Sequence, residues 1–203
     1  MNKLVAEFIG TFFLVQAVGY VAVTDAPHAA LVIGLTLMVM VYAGGHISGA
    51  HYNPAITLAI WLRGKLSKAD VFPYLAAQIT GAVVSAFLVT HFRGTGSETP
   101  LTQPLRAAGA EFLGTFALAW VVLNVATAKG TAGNSFYGAA IVMVVASGIF
   151  LFGGISGAVF NPAVAVAGAV LNRLPLPTIA LYTVVSIAAA LAATQLFLQI
   201  EKR

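Results

Sequence analysis

The sequence predicts an all-α membrane protein, with six transmembrane helices and two re-entrant half-helices arranged as an inverted-topology repeat. Three observations carry that expectation. Of 203 residues, 60% are hydrophobic and only 8% are charged, whereas a soluble domain carries about 25% charged residues. Eight apolar runs alternate with turn chemistry, six of them long and two short. Finally, the second half of the chain repeats motifs of the first, in the same order.

A chain so poor in charge cannot wet a soluble surface, which excludes a soluble catalytic domain and a disordered segment. Ten basic against six acidic residues is too weak an excess for a nucleic-acid face, so the expected surroundings are a lipid bilayer. Cysteine is absent, which removes disulfides, thiolate catalysis and cysteine-zinc sites.

A bilayer core takes about 20 apolar residues, within a range of about 17 to 25. The first run, Leu4 to Thr24, meets that length and stops at Asp25-Ala26-Pro27. Its opening, Met1 to Ala17, also resembles a cleavable signal peptide. Glu7 inside the apolar core, and the return of the segment in mid-chain, weigh against that reading. The second run is Ala29 to Gly45. Pro54 to Leu62 follows, and at about 1.5 Å per residue it reaches about half a membrane, so it must dip in and return. The third run, Val71 to Phe92, ends in the polar stretch from Arg93 to Pro104. The fourth is Leu105 to Ala128, closed by Lys129 to Asn134, and the fifth is Phe136 to Phe152. Pro162 to Leu171 is the second short piece, and Pro177 to Ile200 is the sixth span.

Ala6-Glu7-Phe8-Ile9-Gly10-Thr11-Phe12 returns as Ala110-Glu111-Phe112-Leu113-Gly114-Thr115-Phe116. Ile47-Ser48-Gly49-Ala50 returns as Ile155-Ser156-Gly157-Ala158, and Asn53-Pro54-Ala55 returns as Asn161-Pro162-Ala163. Tyr74 returns as Tyr182. Residues 1–203 therefore read as one domain with repeats over 3–92 and 105–200. Three spans per copy, an odd number, oblige the second copy to enter from the opposite face. The two dips then approach each other at mid-membrane.

Asparagine is a favoured N-cap and proline suits the first helical position, so both half-helices are expected to start at the Asn-Pro pairs. The preceding stretches, Gly44 to Tyr52 and Gly153 to Phe160, are glycine-rich and are expected to be extended, presenting carbonyls to a watery cavity. Each half-helix N-terminus brings about half a positive charge, and the asparagine amides add donors. Such a junction receives neutral polar molecules and repels cations. The basic residues orient the bundle. With both termini cytoplasmic, Lys3, Arg63, Lys65, Lys68, Lys129, Lys202 and Arg203 lie inside, and Arg93, Arg106 and Arg173 outside.

Competing classes are weaker. A secondary transporter also uses inverted repeats, but Glu7 and Glu111 are the only ionisable groups expected at depth in the spans. A closed structural protein would use Gly81, Ala82, Ser85, Ala86 and Ala188 to Ala193 for helix packing. His28, His46, His51 and His91 form no metal pattern. No catalytic set appears, so neither an enzyme nor a cofactor is expected.

At the paired Asn-Pro-Ala boxes, the Ala-Glu-Phe-x-Gly-Thr-Phe openings and Tyr74-x-x-Ala77-Gln78, the chain resembles the aquaporin, or major intrinsic protein, family. The resemblance spans residues 3–198. It implies a homotetramer with one passive pore per subunit, and hydrogen bonds from the dipping loops to Glu7 and Glu111. The sequence departs from the family where arginine usually follows the second box, because Val164 stands there. By the family's spacing the other constriction positions are Ile33, Ile149 and Ala158. All four are apolar. The expectation is a channel for small uncharged solutes, such as glycerol, urea, ammonia or an arsenous-acid-like metalloid hydroxide, and for water, with ions excluded. A strict water channel is the alternative. Short termini without a presequence suggest a prokaryotic inner membrane.

Overall fold

The structure is a computed structural model and describes residues 1–24 and 28–201. The Asp25-Ala26-Pro27 turn and the basic pair Lys202 and Arg203 lie outside the described residues. Eight α-helices follow in order: α1 (Asn2–Thr24), α2 (Ala29–Ser48), α3 (Pro54–Leu62), α4 (Lys68–Arg93), α5 (Pro104–Thr127), α6 (Tyr137–Ser156), α7 (Pro162–Val170) and α8 (Leu176–Glu201). A 3-10 turn, Lys129–Thr131, lies between α5 and α6. Six helices are long and apolar enough to cross a membrane; α3 and α7, nine residues each, are not. The outer surfaces of the long helices are greasy, with Phe150 of α6 83% and Phe72 of α4 79% exposed. That is affordable in lipid and not in water.

The paired packing repeats across the two halves. Helix α1 packs on α4 and α2, and α5 on α8 and α6. Contacts that fix the two ends of the bundle also fix the direction of the dips. At one end, Arg63 just beyond α3 forms an ion pair with Glu201, and Lys3 lies 3.9 Å from Asp70. At the other, Arg93 lies over the Tyr20 ring at 4.8 Å. There Asn172, beyond α7, donates to the Gly96 carbonyl at 3.0 Å. So α3 runs to one face and α7 to the opposite one, with both starting inside.

One sequence expectation is corrected. The stretches from Gly44 and from Gly153 are not extended, because α2 continues to Ser48 and α6 to Ser156. Only residues 49–53 and 157–161 leave the helix, and they are not uniformly extended. Gly49 and Gly157 take left-handed φ of 88° and 86°, and Ala50, Tyr52, Ala158 and Phe160 take φ of 49–52°. A left-handed non-glycine residue costs roughly 1–2 kcal/mol, so both loops need outside support.

Several of the glycines serve close approach instead. A Cβ on Gly10 or Gly114 would lie 2.1 Å from the ring of Tyr52 or Phe160, and one on Gly44 would lie 1.8 Å from the Tyr52 hydroxyl. A Cβ on Gly81, in α4, would stand 2.5 Å from the backbone oxygen of Phe8 in α1. Backbone cannot swing aside as a side chain can. We therefore expect Gly81→Ala to lower stability by about 1–3 kcal/mol, the usual cost of overpacking. Gly109→Ala, where a Cβ meets nothing within 4 Å, is expected to be harmless. Thermal unfolding of the two variants in detergent reads the difference.

Candidate functional site

The site is where the two dips meet. Asn53 caps α3 by accepting from the Ala55 N–H at 2.9 Å, and Asn161 caps α7 by accepting from Ala163 at 2.9 Å. Proline at the next position gives up no needed donor. The same two side chains tie the loops crosswise. Asn53 Nδ2 donates to the Phe160 carbonyl, and Asn161 Nδ2 donates to the Tyr52 carbonyl, both at 2.9 Å. An amide NH2 has two donors, so one per asparagine is spent on the junction and one is left for the cavity. The carbonyls of Tyr52 and Phe160 are likewise engaged by asparagine, which shortens the row of free acceptors read from the sequence.

A buried carboxylate supports each loop. Glu7 Oε1 accepts from Ser48 Oγ at 2.6 Å and the His51 N–H at 3.0 Å; Oε2 accepts from the Tyr52 N–H at 2.8 Å. Glu111 repeats this with Ser156 Oγ at 2.6 Å, Val159 N–H at 2.9 Å and Phe160 N–H at 2.6 Å. Both carboxylates are fully buried, so neither reaches the headgroups. The supported residues include those forced into left-handed φ, and charge-assisted bonds of this length are the strong class. Tyr74 and Tyr182 complete the frame by donating to the Ser48 and Ser156 carbonyls at 2.9 and 2.8 Å.

The two halves differ in what lies around the carboxylate. Gln78 Nε2 donates to Glu7 Oε2 and to Thr57 Oγ1, each at 2.8 Å, and His51 Nδ1 lies 3.1 Å from Thr57 Oγ1. At the matching positions the second half has Ser186, Ala165 and Val159. Thr57 was not singled out in the sequence, because its counterpart is alanine and the repeat is silent there. Ser48 and Ser156 did carry a signal, since both lie inside a repeated motif. His51 also packs against the Tyr74 ring at 5.2 Å. Among the described residues no cluster of three His, Cys, Asp or Glu is placed to hold a metal.

A cavity of about 1630 Å³ passes this junction. Asn53 and Asn161 line it, as do Lys65 and Lys129 at one end and Arg106 and Arg173 at the other. Ile33, Ile149, Ala158 and Val164 all line it as well. They come from α2, α6, the second loop and α7, so four separate elements bring apolar atoms to one passage. None of the four side chains donates a hydrogen bond. Pro54, Ala55, Pro162 and Ala163 are buried at the starts of the half-helices. They hold the capped turns against the rest of the bundle.

Comparison with known proteins agrees with this architecture. The family model described as Major intrinsic protein matches residues 1–146 and 98–203. Aquaporin NIP1-1 of Oryza sativa subsp. japonica is 37% identical over 179 residues, which cover 80% of this chain and 62% of that protein. Nodulin-26 of Glycine max is 35% identical over 177 residues, covering 80% of this chain and 65% of its own length. This chain thus spans a little under two thirds of the length of these curated relatives. An aquaglyceroporin from Plasmodium falciparum superposes with a TM-score of 0.81 at 19% identity, over 97% of this chain and 94% of that one. That likeness establishes the fold. The two curated relatives are plant proteins, so the expectation of a prokaryotic inner membrane finds no support and is withdrawn.

Proposed function

Because this chain belongs to the major intrinsic protein family, we propose that its cavity is a passive pore for water and small uncharged solutes. Glycerol, urea, ammonia and undissociated metalloid hydroxides fall within the proposed range. The observation that carries the reading is the passage itself: it runs past two capped helix N-termini and is lined by both asparagines. A neutral solute can accept from the asparagine amides there. A cation meets about half a positive charge from each half-helix.

We assign Asn53-Pro54-Ala55 and Asn161-Pro162-Ala163 as the pore boxes, with Glu7 and Glu111 as the carboxylates that hold them. Ile33, Ile149, Ala158 and Val164 form the proposed constriction. Four apolar side chains favour solutes of low polarity per unit size over water, since a dry apolar neck opposes wetting. For this reason broad neutral-solute passage is preferred to water-only passage. The proposed assembly is a homotetramer with one pore in each subunit, both termini facing the cytoplasm.

Stopped-flow light scattering of proteoliposomes tests the reading, comparing water, glycerol, urea and arsenite. Glycerol flux rising linearly with its gradient is expected. Saturation at low concentration, or dependence on sodium, would favour a coupled transporter. Val164→Arg tests the constriction separately. A guanidinium in the neck is expected to lower glycerol and arsenite permeability by about tenfold, equivalent to about 1.4 kcal/mol of added barrier, with water much less affected. Unchanged solute uptake would remove Val164 from the neck.

A further inference from the structure

The two dips share one fold on unequal support. In the first, Glu7 accepts from four donors, the fourth being Gln78 Nε2 at 2.8 Å. Gln78 extends the tie to Thr57 on α3 at 2.8 Å, and Thr57 Oγ1 lies 3.1 Å from His51 Nδ1 in the loop. Loop, α1, α3 and α4 are thereby closed into one ring of bonds. The Tyr52 hydroxyl adds a tether to α2, donating to the Met40 carbonyl at 2.9 Å. In the second dip Glu111 accepts from three donors. Ser186 stands in the place of Gln78, with its Oγ buried and unpartnered. Ala165, Val159 and Phe160 stand in the places of Thr57, His51 and Tyr52, so both ring and tether are missing. Gln78 Oε1 is also buried and unpartnered, so an idle acceptor does not separate the halves. The far ends of the half-helices are braced alike, α3 by the ion pair of Arg63 with Glu201 and α7 by Asn172 on the Gly96 carbonyl. The deficit is local to residues 157–161 and the start of α7.

That weaker dip holds half of the proposed neck. Ala158 lies in its loop and Val164 in the first turn of α7, whereas none of the four neck residues lies on the first dip. We propose that Ser186, together with Ala165, sets the solute range of the neck by leaving this dip loosely held, so that Ala158 and Val164 yield to a larger solute. The inference deepens the pore reading above and rests on it. Local opening occurs where support is least. One net hydrogen bond changes an opening equilibrium by a factor of about five, and the second dip lacks the bonds that Gln78, Thr57, His51 and the Tyr52 hydroxyl make in the first. A firmly held neck cuts off sharply with solute size; a yielding one grades its permeability instead. Ser186 and Ala165 touch no solute in this account, and act through the position of the dip.

Residue-resolved amide hydrogen exchange in proteoliposomes has matched reporters here. The N–H groups of His51 and Tyr52 donate to Glu7 as those of Val159 and Phe160 donate to Glu111, and all four residues line the cavity. In the unaltered chain the second pair is expected to exchange about tenfold or more faster than the first, after correction for intrinsic rates. The double variant Ser186→Gln, Ala165→Thr rebuilds the tie from Glu111 through α8 to α7. It is expected to slow exchange at Val159 and Phe160 by about fivefold or more, and to lower the ratio of xylitol to glycerol permeability by about fivefold. Phe160→Tyr adds one atom beside Gly148, the counterpart of Met40, and is expected to act in the same direction more weakly. Where the double variant does not fold, this substitution and the exchange of the unaltered chain decide. Equal exchange in the two pairs would overturn the inference and leave the pore reading standing. So would slowed exchange with an unchanged permeability ratio. Vesicles that pass no glycerol would overturn the pore reading itself, and the claim about solute range with it.

Discussion

Glu111→Ala is expected to unfold the second dip and abolish flux. Removing the carboxylate leaves the part-buried N–H of Val159 and the buried N–H of Phe160 without acceptors. Each such orphan costs about 1–3 kcal/mol, so the loop loses roughly 2–6 kcal/mol of support. That is comparable to the strain of holding Ala158 and Phe160 at left-handed φ. Glu111→Gln keeps one acceptor oxygen but turns an NH2 toward one of the donors, and an intermediate loss is expected. Glu7→Ala should be milder in one respect. Gln78 can still bond Thr57, so one of the four donors around Glu7 keeps a partner. Detergent-solubilised unfolding midpoints and glycerol flux, measured in parallel, check the order alanine below glutamine below the natural residue. Equal stability for all three would mean that the carboxylate does not hold the loop.

The second large effect is expected at the asparagines. Asn161→Asp removes the Nδ2 donor to the Tyr52 carbonyl and sets a carboxylate oxygen against that oxygen instead. The capping acceptor survives, because aspartate caps as well as asparagine. The change therefore acts on the junction and its charge more than on the helix. A full negative charge cancels the half charges of the two helix termini taken together, so the site stops repelling cations. Cation conductance in planar bilayers is expected to rise by about tenfold or more, with the equivalent result for Asn53→Asp. Ionic conductance unaltered in both variants would count against the asparagines as the site of discrimination.

Much of this molecule is legible in its sequence, for a physical reason. A bilayer imposes a length on each span, and six apolar runs of that length leave little freedom. The half-helices are legible because an asparagine cap followed by proline marks a start, and because runs of nine residues are too short to cross. The loops are another matter. Gly44, Gly148 and Gly153 look like helix breakers, yet they sit inside α2 and α6, where the first two make room for the rings of Tyr52 and Phe160 and the third meets only the Ile149 side chain at 3.9 Å. Glycine does not say which of its two uses applies until the partner ring is known. Left-handed φ at Tyr52 and Phe160 carries no local signature, since the conformation is imposed by Glu7 and Glu111 from distant helices. The polar surroundings of Glu7 were hidden for a third reason. The counterpart of Thr57 is Ala165, so the internal repeat could not point to it, and Gln78 was visible only through the family motif Tyr74-x-x-Ala77-Gln78.

The central claim is that a solute moving between the two faces passes Val164 and the junction of the half-helices. The absence of cysteine offers a direct measurement: reversible block of glycerol flux by mercuric chloride in single-cysteine variants. The unaltered chain is expected to be insensitive. Val164→Cys, in the passage, should be blocked and then restored by excess thiol, while Leu113→Cys, 58% exposed on the outer surface of α5, should behave like the parent. Sensitivity at Leu113 with none at Val164 would place the route elsewhere and contradict the account.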